Sequence, residues 1–345
     1  MKRFTKFAAI AITTIACSCS EADFQNNKGL TPANANFTFG NSNISELSRG
    51  EYSEISAAEF TPGNIQLGIY GYKNTSTTPY LEELFTNDPT EMYNADHWYV
   101  NKIVAIDPTS EYSFFAYAPY SNDPETIISH NTGIIRLSMP VCSKVSEGID
   151  YIVATPITNY SPIVNTTENT TLVPLTFKHI LSRVDFKIRL AHNDYHSIKF
   201  RKATFGLPEL YEMNTYVCNL KDQLYYFQDG GVEYPPIDNT DPSHTIDCTG
   251  NEVTVGQNES YCIESYYITP GYYETDETTI NVRIEYDVVY TEGGDTETIV
   301  SDAEVTLQLA SNNRYEVFFD VMYNALIFSV EEFNEWNDTS ANAKI

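Results

Sequence analysis

The sequence predicts an all-β protein built as two β-sandwich domains with Greek-key connections, of transthyretin-like or immunoglobulin-like topology. Three observations carry that prediction. The composition is rich in strand formers, with 26 Tyr and 18 Phe in 345 residues, and these side chains suit a pleated, half-buried surface. Short apolar runs with a period of two recur along the chain, separated by Pro, Gly, Asn and Asp. No long stretch has helical spacing, and nothing repeats at a fixed period as in a solenoid or propeller. A chain of 345 residues can bury two cores. The join is placed near Phe177, giving a leader over 1–19, a polar tether over 20–35, a first domain over 36–177 and a second over 178–345.

The N-terminus carries Lys2, Arg3 and Lys6, then an apolar stretch over 7–16 too short to span a bilayer, then a small-residue site before cysteine. This is the pattern of a lipoprotein signal. Cys19 is the expected lipidation site, since it leaves four cysteines in the mature chain and is followed by Glu21 and Asp23; Cys17 is the alternative. A diacyl group would anchor the chain to a membrane at ~0.8 kcal/mol per buried methylene.

The first strand is expected in NFTFGNSNI, with Phe37, Phe39, Ile44 and Leu47 apolar, followed by a turn-rich segment holding Arg49 and Gly50. Further strands are expected over 65–72, 98–106, 112–117, 133–139 and 151–155, broken at Pro79, Asn87-Asp88-Pro89, Asp107-Pro108 and Asn122-Asp123-Pro124. The Asn- and Thr-rich stretch 159–171 reads as a loop. The stretch LVPLTFKHILSRVDFKIRL is two strand-like runs around a short interruption; Val184, Phe186, Ile188 and Leu190 alternate with Asp185, Lys187 and Arg189. In the second half, strands are expected over 196–205, 214–220 and 223–227, with a Pro/Asp-rich loop over 230–244. A hairpin over 279–300 turns at Glu292-Gly293-Gly294-Asp295. Strands at Val305–Leu309 and 315–323 follow, and the last apolar segment is 325–336, with Leu326, Phe328, Val330 and Trp336.

The formal charge of −27 disfavours nucleic-acid binding and electrostatic attraction to anionic lipid. Six scattered histidines, with no G-x-S-x-G, H-E-x-x-H or glycine-rich phosphate loop, give no catalytic centre, metal site or cofactor. His192 and His196 are spaced for one helix face, but on a strand they lie ~13 Å apart. Trp98 and Trp336 could join the tyrosines in a sugar-binding platform, although aromatic residues at strand spacing usually fill cores. Cys142, Cys218, Cys248 and Cys262 form no C-x-x-C pair. Disulfides of Cys248 with Cys262 or Cys218, or free thiols, are both open.

The pairing of DYIVA with the downstream FKHILSRVDFKI resembles the fimbrillins, the pilus and fimbria subunits that anaerobic gut and oral bacteria export as lipoproteins. The lipoprotein signal, Ser48-Arg49-Gly50, IQLGIYGY, SFFAYAPY and the late FSVEEFNEW match in the expected order. The resemblance implies a non-catalytic structural subunit of cell-surface fimbriae that contributes to adhesion. It implies cleavage between Arg49 and Gly50 by an Arg-specific protease, loss of the strand bearing Phe37, Phe39, Ile44 and Leu47, and filling of the vacated groove by another subunit's strand. Leu326, Phe328, Val330 and Trp336 then mark the candidate donor. Shaft, tip and anchor positions all stay open. Implied partners are other fimbrial subunits, the outer membrane through the lipid, and host or bacterial surface ligands. A surface glycan-binding lipoprotein that builds no fibre is the alternative.

Overall fold

The computed structural model describes residues 36–41, 66–75, 81–94, 97–123, 126–131, 133–163, 170–191, 195–208, 213–220, 222, 224–228, 244–271, 276–291, 293–322 and 325–334. Among them there are strands and turns but no α-helix. A nine-stranded sheet contains β1 (Asn36–Asn41), β2 (Gly68–Asn74), β3 (Leu81–Asn94), β4 (His97–Val100), β5 (Tyr112–Ala118), β9 (Ile152–Ala154), β10 (Ile157–Tyr160), β11 (Thr170–Leu175) and β12 (Phe177–His179). Its order is β11-β1-β4-β3-β2-β5-β9-β12, with β10 beside β5. A four-stranded sheet runs β16 (Leu224–Phe227), β15 (Met213–Asn219), β7 (Ile134–Pro140), β6 (Ile127–Asn131).

The nine-stranded sheet curls around one core and packs its other face on the four-stranded sheet. Phe114, Ala116 and Ala118 of β5 enter the first core with Phe37, Phe39, Ile69, Phe85 and Trp98. Phe115 and Tyr117 of the same strand enter the second, with Tyr70, Leu137, Tyr216 and Phe227. All seven residues of β5 are therefore buried, which is why SFFAYAPY reads as a continuous apolar run instead of an alternating one. The glycines of IQLGIYGY serve the same packing: a Cβ at Gly68 would strike the Tyr117 ring, and one at Gly71 the Phe85 ring.

The remaining strands form two five-stranded sheets. One runs β23 (Ala325–Asn334), β22 (Asn313–Met322), β13 (Ser182–Leu190), β19 (Ser260–Ile268), β8 (Cys142–Lys144). The other runs β17 (Thr245–Asp247), β14 (Tyr195–Gly206), β20 (Glu277–Tyr290), β21 (Thr296–Gln308), with β18 (Val253–Gly256) also on β14. Val184, Phe186 and Ile188 of β13 meet Ile280, Val282 and Ile284 of β20 in the core between them.

Several elements depart from the sequence expectation. Asn87-Asp88-Pro89 lies inside β3 because Asn87 takes a left-handed conformation (φ 53°) at a bulge, where the Asp88 carboxylate accepts from the Thr86 amide at 3.0 Å. Past it, the buried Thr90 hydroxyl accepts from the Leu67 amide at 2.8 Å. Strand β4 ends at Val100 instead of continuing to 106, and β10 occupies the start of a stretch expected as loop. Strands β3, β6, β8, β17, β18 and β19 have no counterpart among the strands expected from the sequence. All four described cysteines are free thiols.

Two ladders tie the halves of the chain together across residue 177. β15 pairs β7 over seven positions, from Met213 with Pro140 to Asn219 with Ile134, and β8 pairs β19 from Cys142 with Ile268 to Lys144 with Tyr266. The His179 ring and the Asp150 carboxylate, both buried, approach to 2.7 Å beside this junction. A chain ending at residue 177 lacks the partner of β7 and the side chains of Tyr216, Cys218 and Phe227. It is expected to show no cooperative denaturant transition by circular dichroism; a sharp transition would show that β15 and β16 are dispensable.

The outer face of β13 carries a buried charge ladder. β22 runs parallel to β13, placing Arg183 opposite Arg314 and Asp185 opposite Glu316. Offset contacts relieve these like-charge pairs: Asp185 accepts from Arg183 at 2.9 Å and from Arg314 at 2.7 Å, and Lys187 reaches Glu316 at 2.7 Å. Burial alone would raise the Asp185 carboxyl, but Arg183 and Arg314 together hold it below the ordinary carboxylate value. A depressed pKa contributes stability that is present above the unfolded value, about pH 4, and is lost as pH falls through the folded value. Asp185→Asn is expected to cost about 3–5 kcal/mol at neutral pH, because it removes the buried negative charge that Arg183 and Arg314 share. Urea titrations of both proteins at pH 7 and pH 3 check this, and the difference between them should narrow at pH 3.

Candidate assembly interface

β1 is an internal strand although it lies near the start of the chain. It runs parallel to β11 over six positions, Asn36 with Thr170 through Asn41 with Leu175, and antiparallel to β4 over three, Thr38 with Tyr99 through Gly40 with His97. Its alternation is direct: Phe37 and Phe39 point into the core and are fully buried, while Thr38 donates to the Thr171 carbonyl at 3.3 Å.

The two phenylalanines fill a socket of aromatic rings. Phe37 packs at 5.0 Å on Tyr112 and 4.9 Å on Phe114, and Phe39 at 5.6 Å on Phe114 and 6.1 Å on Phe85, all edge-on. Each ring gains roughly 1.5–3 kcal/mol from burial. Without β1, the socket would stand empty, and β4 and β11 would face each other across a gap with unpaired amides and carbonyls.

Among the described residues, the second candidate element, β23, is the edge of its sheet and pairs only with β22. Leu326, Phe328 and Val330 stand opposite the core residues Val321, Phe319 and Val317. Leu326 packs partly against the core, whereas Phe328 and Val330 are each 38% exposed; Ile327, on the other face, is 53% exposed. β1 and β23 lie in different sheets, so the chain does not bring its two candidate strands together. Ile44, Leu47, Arg49, Gly50, Trp336 and both lipidation candidates, Cys17 and Cys19, lie outside the described residues.

Trp98 is fully buried behind β1 and forms no part of an exposed platform for sugar. Sequence reasoning did not find the socket residues Phe85 and Phe114 as partners of β1, nor β11 as its neighbour. The alternation of Thr171, Val173 and Leu175 was visible, but a parallel pairing across more than 130 residues leaves no local signal.

The family model for fimbrillin-like proteins matches residues 57–336. The chain belongs to the fimbrillin-like family. A fimbrial protein from Bacteroides vulgatus has a similar structure: 17% identity, a TM-score of 0.58, and coverage of 88% of this chain and 100% of that one. A candidate cell adhesion protein from Parabacteroides distasonis aligns at 8% identity and a TM-score of 0.48, covering 87% of this chain and 99% of its own. Another, from Bacteroides uniformis, aligns at 10% and 0.42, covering 88% and 99%. At such identities the likeness concerns the fold. No curated protein matches the chain.

Phe39→Ala is expected to lower the stability of the full chain by about 3–5 kcal/mol, as for other buried aromatic truncations. Ile327→Ser, at an exposed position of β23, should change it by less than about 0.5 kcal/mol. Denaturant midpoints of the two variants check the contrast.

Proposed function

We propose that this fimbrillin-like chain is a structural subunit of cell-surface fimbriae that contributes to adhesion and assembles by exchange of its first strand. One observation carries the reading: β1 is buried and paired on both sides, yet it joins the rest of its sheet only through residues 42–67, which contain Arg49. A cut between Arg49 and Gly50 would leave β1 held by non-covalent contacts alone. Its departure would leave a slot demanding both backbone pairing and two large apolar side chains at alternate positions. A strand from a neighbouring subunit meets both demands.

β23 suits the donor role on physical grounds. It is an edge strand with one partner and carries Leu326, Phe328 and Val330 at alternate positions, two of them poorly covered. Lipidation at Cys19 or Cys17 would hold the precursor at the outer membrane until cleavage releases it from its anchor. Partners on this reading are other fimbrial subunits and, through the fibre, host or bacterial surfaces.

The test is limited digestion of the chain lacking residues 1–19 with an Arg-specific protease, followed by intact mass and size-exclusion chromatography. A single cut after Arg49, loss of the fragment carrying β1 and growth of larger species are expected. A chain that stays uncut at Arg49 and monomeric would overturn assembly by strand exchange.

A further inference from the structure

β11 ends the nine-stranded sheet, and its two edges differ. The Thr171 carbonyl accepts from the Thr38 hydroxyl of β1, whereas the Leu172 carbonyl accepts from the Tyr160 hydroxyl at 2.6 Å. In a strand, the N–H and C=O of one residue point to the same side, and the side alternates from residue to residue. Leu172, and with it Pro174, therefore directs its backbone polar groups away from β1. Thr171, Val173 and Leu175 direct theirs towards it.

The outer edge is closed at both of these positions. Pro174 has no N–H to offer an added strand. The Leu172 carbonyl is already taken by Tyr160, whose oxygen also lies 3.1 Å from the Thr171 hydroxyl. Tyr160 is held for this contact. Its ring stands edge-on to Phe114 at 6.0 Å, and Asn159, at φ 55° within an irregular stretch of the β10–β5 ladder, turns the chain just before it. Val173 and Leu175 meanwhile anchor β11 in the core, exposed by 0% and 2%.

We propose that Tyr160 and Pro174 are specificity-determining residues for assembly: they close the free edge of β11, so that an incoming strand is accepted only in place of β1. This rests on the strand-exchange reading above. The segment the slot takes is an extended stretch of another chain, running parallel to β11 and antiparallel to β4, with large apolar side chains at two alternate positions. Growth by simple addition to the β11 edge, which would need no cleavage, is blocked.

The experiment uses the uncut chain lacking residues 1–19 and a fluorescent peptide of residues 34–43. Tyr160→Phe keeps the ring and removes the hydroxyl; Pro174→Ala restores an N–H. The wild-type chain should bind the peptide only weakly. The double variant should bind it at least about tenfold more tightly, two hydrogen-bonding positions having been released, while hydrogen exchange shows the Thr38 and Phe39 amides still protected. Should the double variant fail to fold, each single variant is expected to give a smaller rise. Peptide binding no greater than wild type in every folded variant, or binding that deprotects β1, would overturn the proposal. A second arm distinguishes this from failure of the exchange reading: a wild-type chain opened by a specific protease site inserted after residue 52 should trade β1 for the peptide. If it does not, while the uncut double variant binds, strand exchange fails and the closed edge stands.

Discussion

The requirement that buried backbone groups be paired runs, in this protein, through six residues. Among the described residues, β1 is the sole strand neighbour of β11 and one of two for β4, so the arrangement of that part of the sheet depends on a segment which local contacts alone would not hold. Phe37 and Phe39 add side-chain burial to the same strand. Both kinds of interaction are generic: any extended segment with apolar side chains at alternate positions can supply them. A strand whose contribution is large and whose chemistry is unspecific is well suited to being replaced by one from elsewhere.

The rest of the chain is tied together more firmly. β7 with β15 and β8 with β19 cross between the two halves. At the junction the Ser311 hydroxyl donates to the Ile180 carbonyl at 3.0 Å, and the Ser182 hydroxyl to the Ala310 carbonyl at 2.8 Å. The buried Asp185–Arg314 contact joins the outer faces of β13 and β22, while Val184, Phe186 and Ile188 hold the register, because a slip of one residue would turn them out of the core. Departure of β1 would leave all of these contacts in place. On the proposed strand exchange, β1 alone would be replaced while these contacts stay fixed.

Edges are where a sheet protein risks unwanted pairing, and this chain treats two of its edges differently. On β11, Pro174 and the Tyr160 hydroxyl close the outer side. On β23, the edge carries exposed Ile327, Phe328 and Val330, followed by Glu331 and Glu332. The glutamates limit side-by-side stacking of identical strands by charge repulsion, while the apolar positions remain available. The contrast suits one edge that refuses strands and one strand that can be offered.

The sequence by itself determined the all-β class, the alternating strands such as β13, β20 and β22, and the family, because period-two patterning and turn residues are local signals that survive without partners. It also marked β1 and β23 as apolar, strand-like ends. It did not reveal β3 as one continuous strand, since Asn87-Asp88-Pro89 reads as a break until the bulge is seen to satisfy it. Nor could it reveal that β15 and β16 complete the core of the first half, that β19 lies between β13 and β8, or that β1 lies between β11 and β4. Those facts depend on pairings between residues far apart in the chain. Backbone hydrogen bonds and shared burial fix them, and neither leaves a trace in the local order of residues.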